Sequence, residues 1–251
     1  MNGRFSGLLV PMLTRFNADM SIDTDRSVEY CQSLLDRGAA GVALFGTTGE
    51  ANSMSSRERR DLLTATRASG VSGDRLMVGI GACSIIEAAE SFRHAAELDV
   101  AATLMLPPFY YKSAAATDDG LFDFTEQVIR RTEGAKTKIY LYHIPQIAQV
   151  GWSIDLIRRL IDAFPDRIVG LKDSTPDWEH TQRLIATFPD LDILAGSELN
   201  ILKSLRAGGI GCITATGNIN LTCIQSLCDA SESDHADALQ IMARDIRLAV
   251  Q

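Results

Sequence analysis

The sequence predicts an α/β protein of the (β/α)8 TIM-barrel class with a short C-terminal helical extension. Eight short runs rich in β-branched and other apolar residues alternate with longer segments of helical periodicity. Several of these runs are apolar on both faces, as expected of parallel strands that are covered on both sides. The length of 251 residues suits one such barrel. A doubly wound sheet of the same elements is the alternative fold.

The expected strands are bounded by turn-forming residues and helical segments. They are Gly7–Met12, Gly41–Phe45, Leu76–Ile80, Ala101–Leu106, Lys138–His143, Ile168–Leu171, Asp192–Ala195 and Gly209–Ile213. The segments between them carry apolar residues three and four positions apart, which predicts amphipathic helices. The expected helices are Asp25–Arg37, Ser55–Ala68, Ile85–Leu98, Asp118–Thr132, Ser153–Ala163, Asp177–Phe188 and Glu198–Arg206.

Capping signals agree with these helices. Ser55 followed by Glu58 predicts a capping box, and Ser153 predicts a helix start. Thr175-Pro176-Asp177 predicts a helix with proline at its first position, and Gly38 and Gly70 stand where helices should end.

The domain prediction is a barrel over residues 1–230 and a C-terminal helical segment over 231–251. Asn220–Ala230 should be the helix that closes the barrel, and His235–Val250 should be one further helix.

Composition argues against several kinds of partner. The net charge of -8 and the pI near 5.0 disfavour nucleic acid and anionic membranes, which this charge would repel. No apolar run approaches the roughly 18–20 residues that span a bilayer, and the N-terminal residues carry no signal-like stretch. We therefore expect a cytoplasmic location. The five cysteines include no C-x-x-C pair, so neither a disulfide framework nor a zinc cluster is indicated.

Reactive side chains follow four of the predicted strands, where a (β/α)8 barrel has its catalytic groups. They are Thr47 and Thr48 after the second strand, Tyr110 after the fourth, Tyr142 at the fifth, and Lys172 after the sixth. Each alone also suits a structural role, because tyrosines pack in cores and charged residues often end strands. Their joint occurrence predicts an active site.

Lys172 is the most informative of these residues. It follows an apolar strand, so its amine should enter the barrel mouth from a dry wall, where desolvation favours the uncharged, nucleophilic form. Tyr142 should reach the same mouth and move protons. The hydroxyl and N–H groups of Thr47 and Thr48, set between glycines, could hold a carboxylate.

At these residues the sequence resembles the dihydrodipicolinate synthase / N-acetylneuraminate lyase family of pyruvate-dependent class I aldolases. Residues 46–50 match its GTTGE motif, and 142–145 resemble its Y-N-[IV]-P motif with His143 in place of Asn. Residues 169–174 resemble its Schiff-base segment, and 208–218 its eighth-strand segment. The match runs in register from about Gly7 to Asn220.

The resemblance implies a role for each matched residue. Lys172 would form the Schiff base and Tyr142 would shuttle protons, with Thr47 and Tyr110 completing a hydroxyl relay. Tyr110 would reach across a dimer interface. Thr48 and Ile213 would bind the keto acid. We also expect Gly46 to bind substrate, and Ser197 and Glu198 to do so in the pocket beyond the pyruvyl site. The resemblance also implies no metal and no cofactor, a small-molecule substrate (pyruvate or another 2-keto acid, with an aldehyde), and a homo-oligomer, either a dimer or a tetramer.

Two departures from the family pattern bear on the substrate and on length. Dihydrodipicolinate synthases have an Arg five residues past the Tyr, and this chain has Ile147 there. An aliphatic side chain cannot make the bidentate pair by which Arg holds a carboxylate. The expected substrate is therefore a 2-keto-3-deoxy sugar acid or a related aldol. Only about 30 residues follow Asn220, fewer than the usual extension of the family.

Other functions remain open at this point. The chain could be a 4-hydroxy-tetrahydrodipicolinate synthase that condenses pyruvate with aspartate semialdehyde and binds the second carboxylate through another residue, or a non-catalytic barrel that senses a keto acid. The Gly208–Gly211 cluster leaves a phosphate-binding barrel possible, on weak evidence. A metal-dependent aldolase is disfavoured, because the four histidines lack ligand spacing.

Overall fold

The predicted (β/α)8 barrel is confirmed by the computed structural model, which describes residues 4–250 (Ser113 and Ala114 by backbone only). The eight strands are all parallel and form a closed barrel in chain order, β1 pairing with β8. They are β1 Gly7–Pro11, β2 Gly41–Leu44, β3 Leu76–Gly79, β4 Ala102–Met105, β5 Lys138–His143, β6 Ile168–Asp173, β7 Asp192–Ala195 and β8 Gly211–Ile213.

Helices surround the barrel, and two very short ones lie in the loops after β4 and β5. The helices are α1 Thr24–Asp36, α2 Ser56–Ala68, α3 Ile85–Glu97, α4 Lys112–Ala115, α5 Asp118–Arg130, α6 Pro145–Ala148, α7 Ile154–Ala163, α8 Trp178–Thr187, α9 Ile201–Arg206, α10 Gly217–Asp229 and α11 Ala236–Ala249. Among residues 4–250, no helix is both long and apolar enough to cross a bilayer.

The predicted capping signals are confirmed with one exception. Ser55 and Glu58 form a capping box at α2, and Ser153 caps α7. The expectation that Pro176 opens a helix is wrong. Asp177 is instead the N-cap of α8, and its carboxylate accepts hydrogen bonds from the backbone N–H groups of Glu179 and His180. A side-chain cap at Asp177 satisfies those first-turn donors directly.

Two apolar layers hold the barrel together. Inward side chains fill the lumen, among them Leu9, Met77, Tyr140 and Leu194. Outward strand residues pack against the helices in a larger, continuous core. Gly170 of β6 belongs to the lumen, where a Cβ would come 2.1 Å from the Tyr140 ring. The missing side chain at this position makes room for the tyrosine inside the barrel.

The C-terminal helices lie against the barrel. Helix α10 packs on β1, and α11 packs on α9 and α10. Gln240 of α11 accepts a hydrogen bond from the Leu202 N–H and donates one to the Glu198 carbonyl, at 2.9 and 2.6 Å. The expected division at residue 230 falls between α10 and α11, and its outer boundaries, residues 1 and 251, lie outside the described residues.

Candidate active site

The predicted nucleophile, Lys172, and the predicted proton carrier, Tyr142, lie side by side at the carboxyl ends of β6 and β5. Tyr142 and Lys172 are register partners in the parallel pair of strands. The Lys172 side chain is buried, with the residue only 6% exposed. Its Nζ lies 4.2 Å from the centroid of the Tyr142 ring. The strand β6 extends to Asp173, two residues further than predicted, so Lys172 projects from rigid strand backbone.

The charge of Lys172 acts on the Tyr142 phenol. Burial alone raises the pKa of Tyr142, but the neighbouring Lys172 charge and hydrogen bonds to hydroxyl and amine groups outweigh burial and lower that pKa below its ordinary value. One of these hydrogen bonds joins the phenol oxygen to Thr47 Oγ1 at 3.4 Å. A buried phenol with a lowered pKa is suited to accept and return protons near neutral pH.

The segment from Gly46 to Glu50 forms the expected tight turn after β2. The N–H of Glu50 donates to the Thr47 carbonyl at 3.1 Å. Phe45 and Glu50, which flank the turn, both have left-handed backbone, with φ of 57°. Thr47 is exposed and Thr48 half-buried. The turn thus presents hydroxyl groups at the barrel mouth.

A cavity of about 240 Å³ opens beside this turn. Gly46, Thr47 and Tyr142 line it from the predicted set. The remaining lining residues are Phe45, Glu50, Ala51, Asn52, Ser53, Gly79, Gly81, Leu104 and Leu106. Glu50, Asn52 and Ser53 make one wall polar, and Leu104 and Leu106 make the wall towards β4 apolar, so the cavity can accept a small molecule that has both polar and apolar groups.

Tyr110 is not brought to the other site residues within one chain. It lies in a 3-10 turn over Phe109–Tyr111 and is 74% exposed. Its ring makes an edge contact with that of Tyr111. In the part of the chain that the structure describes, the Tyr110 hydroxyl makes no hydrogen bond. Within one chain the structure thus forms the Thr47–Tyr142 hydrogen bond, whereas the expected contact of Tyr110 is one between two chains.

The three remaining predicted residues lie around β7 and β8. Ile213 ends β8 and is buried in the lumen, and Ser197 is half-buried in the loop after β7. Glu198 is fully buried. Its carboxylate accepts hydrogen bonds from the hydroxyls of Thr214 and Thr216.

The geometry at Glu198 does not place it as an open substrate-binding group. Its second oxygen lies 3.6 Å from Arg247 Nε on α11. The carboxylate thereby joins the loop after β8 to the C-terminal helix.

Ile147 occupies the rim of the mouth. It lies in the short helix α6 and is 59% exposed. Its neighbour Gln146 donates to the Ser174 carbonyl at 2.6 Å, which holds α6 against the end of β6. The position where related synthases have Arg is thus an exposed apolar one.

Three residues behind the pair escaped the sequence prediction. Trp152 Nε1 donates to the Tyr142 carbonyl at 3.1 Å, and the backbone N–H of Trp152 donates to His143 Nδ1 at 3.0 Å. Asp173 and His180 form a pair at 3.1 Å, in which Asp173 is buried and His180 is partly exposed. A usable signal existed only for Asp173, which directly follows Lys172 on the same strand. Trp152 and His180 come from later segments, and no local pattern connects them to the site.

A TIM barrel with a buried lysine beside a buried tyrosine at the carboxyl ends of neighbouring strands has the architecture of an enzyme acting on small molecules, with the groups that aldol chemistry requires. The chain belongs to the dihydrodipicolinate synthetase family, whose model matches residues 4–249. The resemblance expected from the motifs is confirmed, and the protein is a class I aldolase or lyase.

Individual relatives agree with this assignment. An uncharacterized DapA-like lyase of Chloroflexus aurantiacus is 35% identical over 83% of this chain and 69% of the relative. The crystal structure of dihydrodipicolinate synthase from Agrobacterium tumefaciens superposes with a TM-score of 0.87 at 34% identity, over 92% of this chain and 79% of that one. A Ruminococcus gnavus sialic acid aldolase shares the fold, with a TM-score of 0.87 at 18% identity over 97% of this chain and 79% of that one.

Proposed function

We propose that Lys172 forms a Schiff base with a 2-keto acid, pyruvate in the first instance, and that the enzyme makes or cleaves a carbon–carbon bond next to the imine carbon. The observation that carries this proposal is the 4.2 Å approach of Lys172 Nζ to the Tyr142 ring. A protonated imine withdraws electrons and stabilises the adjacent carbanion as an enamine. The enamine adds to an aldehyde, or its formation releases one.

Tyr142 is the proposed proton carrier for these steps. Its lowered pKa makes the phenolate form more accessible. The phenolate would accept a proton from the Lys172 amine as that amine attacks the keto carbon, and the phenol would return the proton to the carbinolamine hydroxyl as it leaves as water. Thr47, at 3.4 Å from the phenol oxygen, is the proposed second member of the relay. The turn at Gly46 and Thr48 would hold the keto-acid carboxylate, and the Ile213 backbone would lie along the pyruvyl group.

The proposed partner aldehyde is that of a 2-keto-3-deoxy sugar acid. Support comes from Ile147, which is apolar and exposed where a carboxylate clamp would need a cation. The polar residues Glu50, Asn52 and Ser53 on the cavity wall suit hydroxyl groups. The second candidate is 4-hydroxy-tetrahydrodipicolinate synthase activity, favoured by the 34% identity to a protein with the name dihydrodipicolinate synthase.

Two copies of the chain would complete the proposed relay. Tyr110 and its neighbour Tyr111 are exposed in a surface turn, and an apolar aromatic pair of this kind suits a subunit interface. The proposed assembly is a homodimer or a pair of dimers in which Tyr110 enters the partner's site. Light scattering after size-exclusion chromatography measures the assembly, and a monomer with full activity would contradict it.

Borohydride trapping tests the chemistry directly. Incubation with pyruvate and borohydride should attach a reduced pyruvyl group to the enzyme, and peptide mass spectrometry should place it on Lys172. Lys203 is an exposed lysine of α9, and Lys203→Ala is the matched control that should keep the adduct. An adduct elsewhere, or none, would refute the proposal. Enzyme that has not been treated with borohydride is then assayed with pyruvate and either the aldehyde of a 2-keto-3-deoxy sugar acid or aspartate semialdehyde. The aldehyde that is turned over separates the two candidate reactions.

A further inference from the structure

A second polar cluster lies directly behind Lys172 and Tyr142. His143 and Asp173 are the next residues on β5 and β6, and they too are register partners. Side chains alternate between the two faces of a strand, so this pair faces the helical layer rather than the lumen. Both residues are buried, at 7% and 2% exposure. His180, in the first turn of α8, completes the cluster.

Asp173 is saturated with hydrogen bonds. Its Oδ1 accepts from the backbone N–H and the hydroxyl of Thr175, at 3.0 and 2.9 Å. Its Oδ2 accepts from the Thr181 hydroxyl at 2.7 Å and from His180 Nδ1 at 3.1 Å. Burial raises the pKa of this carboxyl, but the donors outweigh burial and lower it. The ionised carboxylate therefore ties the end of β6 to the start of α8.

His143 is fixed from both sides. Its Nδ1 accepts from the Trp152 backbone N–H at 3.0 Å, which leaves the ring proton on Nε2. Its ring stacks on that of His180, with centroids 4.7 Å apart and planes inclined by 14°. A Cβ on Gly151 would come 2.6 Å from the ring, so the loop before α7 closes tightly over it. Burial lowers the pKa of His143 to about 4, and the ring is neutral at neutral pH.

The three residues offer ligand atoms within 4.8 Å of one another, which is a spacing that can suggest a metal ion. The geometry of the two imidazole rings is not compatible with a shared metal ion. A metal lies in the plane of each imidazole that binds it, and two nearly parallel stacked rings cannot both direct a lone pair to one point. The carboxylate also has all its acceptor positions in use. The contacts describe a rigid support rather than a vacant ligand set.

We propose that His143, Asp173 and His180 form a brace that positions Lys172 against Tyr142 for catalysis. This inference rests on the proposed Schiff-base function of Lys172. The brace joins the ends of the two strands that carry the pair, and Trp152 extends it to the Tyr142 carbonyl at 3.1 Å. His143 and Asp173 face the helical layer, so they act through their neighbours in sequence and are positioning residues. The hydrogen bond from His180 to Asp173 is the part that can be removed with least harm to the fold.

Two substitutions at His180, which is partly exposed, separate the donor from the ring. His180→Phe keeps a ring to stack on His143 and removes the donor to Asp173. His180→Asn keeps a donor near the position of Nδ1 and removes the ring. We expect His180→Phe to lower kcat and the rate of borohydride-trapped adduct formation at least about tenfold, as for a lost hydrogen bond to a charged group. KM for pyruvate should change less than about threefold, because uniform binding is intact. His180→Asn should restore the rate to within about threefold of wild type.

A matched pair of carboxylates provides the control for simple destabilisation. Asp173→Asn should slow adduct formation at least as much as His180→Phe. Asp192→Asn makes the same change at a buried carboxylate of β7 that binds Tyr140 and Arg4 and should leave the rate within about twofold, even where its Tm falls as far.

The outcomes distinguish the brace from the proposed function. A wild-type enzyme that forms the adduct, with His180→Phe reacting at the wild-type rate, would overturn the brace alone. The brace would also be overturned if His180→Phe, His180→Asn and Asp192→Asn all slowed adduct formation by amounts that simply follow how far each lowers the Tm. Failure of the wild-type enzyme to form any adduct would overturn both inferences together.

Discussion

Two tyrosines of β5, Tyr140 and Tyr142, lie two residues apart, face the same lumen and are both buried. Their surroundings nevertheless shift their pKa values in opposite directions. Tyr140, towards the amino end of the barrel, donates to Asp192 Oδ2 at 2.6 Å. Burial and the adjacent carboxylate raise the pKa of Tyr140 well above its ordinary value. Tyr142, at the carboxyl end, lies beside Lys172, and its pKa is lowered despite burial. The sign of the neighbouring charge outweighs the shared burial.

The difference shows how one strand serves both stability and chemistry. At the amino end, the side chains of Arg4, Asp192 and Tyr140 are all hydrogen-bonded. Arg4 Nε donates to Asp192 at 3.0 Å, and the Phe5 N–H donates to the Tyr140 hydroxyl at 3.1 Å. At the carboxyl end, Tyr142 lines a cavity, and Lys172 lies beside the phenol ring. The first arrangement favours a permanently neutral phenol, and the second favours a phenol that exchanges its proton.

Removal of the Lys172 amine should have the largest effect. Lys172→Met keeps an apolar stem and removes the nucleophile, so kcat should fall at least about a thousandfold. The loss of the positive charge should also raise the pKa of Tyr142, because the main influence that lowers it is gone. Steady-state kinetics measures the first effect, and tyrosinate absorbance during a pH titration, compared with that of Tyr142→Phe, measures the second. A Lys172→Met enzyme with more than a few per cent of wild-type activity would contradict the assignment.

The two tyrosines should respond differently to the same substitution. Tyr142→Phe should lower kcat about a hundredfold to a thousandfold, the range for loss of a general acid–base group. Tyr140→Phe should leave kcat within about threefold and lower the free energy of unfolding by about 1–3 kcal/mol, since it leaves Asp192 with fewer donors. Kinetics and urea unfolding on both variants separate the outcomes. Similar losses of activity in the two variants would show that the contrast between the ends of the barrel is not functional.

The barrel and the reactive pair were predictable because their signals are local. An apolar strand followed by a reactive side chain marks Lys172 and Tyr142, and capping residues mark most helix starts. The partner of Tyr140 was not predictable in this way, because Asp192 lies 52 positions away and only barrel closure brings it near. The same holds for His180 and Trp152.

Glu198 is a residue whose position after a strand does not determine the environment of its side chain. Its place after β7 suggested a substrate ligand, but long-range contacts with Thr214 and Arg247 decide where the carboxylate lies. In the proposed assembly, Tyr110 would act through contacts with a second chain, which local sequence cannot specify.

His143 should link stability to pH in the acid range. The pKa of His143 is about 4 in the folded protein, against 6.5 ordinarily. The unfolded chain therefore binds more protons between these values, so stability is lost as pH falls through this window. The contribution amounts to as much as about 3 kcal/mol. His143→Asn should flatten this part of the pH dependence of unfolding, as measured by urea unfolding across this pH range. Equal slopes for wild type and His143→Asn would show that the ring is not held neutral by burial.

The smallest effect is also the most direct test of the contrast, because the two tyrosines should give pH slopes of opposite sign. For Tyr140 the folded pKa is raised, so its contribution is complete below the unfolded pKa of about 10 and is lost as pH rises above it. For Tyr142 the folded pKa is lowered, so its contribution grows as pH rises towards about 10 and is lost as pH falls through the folded pKa. The stability difference between wild type and Tyr140→Phe should therefore shrink by about 1 kcal/mol between about pH 9 and about pH 11. The difference between wild type and Tyr142→Phe should instead increase from neutral pH to about pH 10. Urea unfolding of the three proteins across this range measures both slopes, and slopes of the same sign would mean that burial, rather than the charge beside each phenol, determines its acidity.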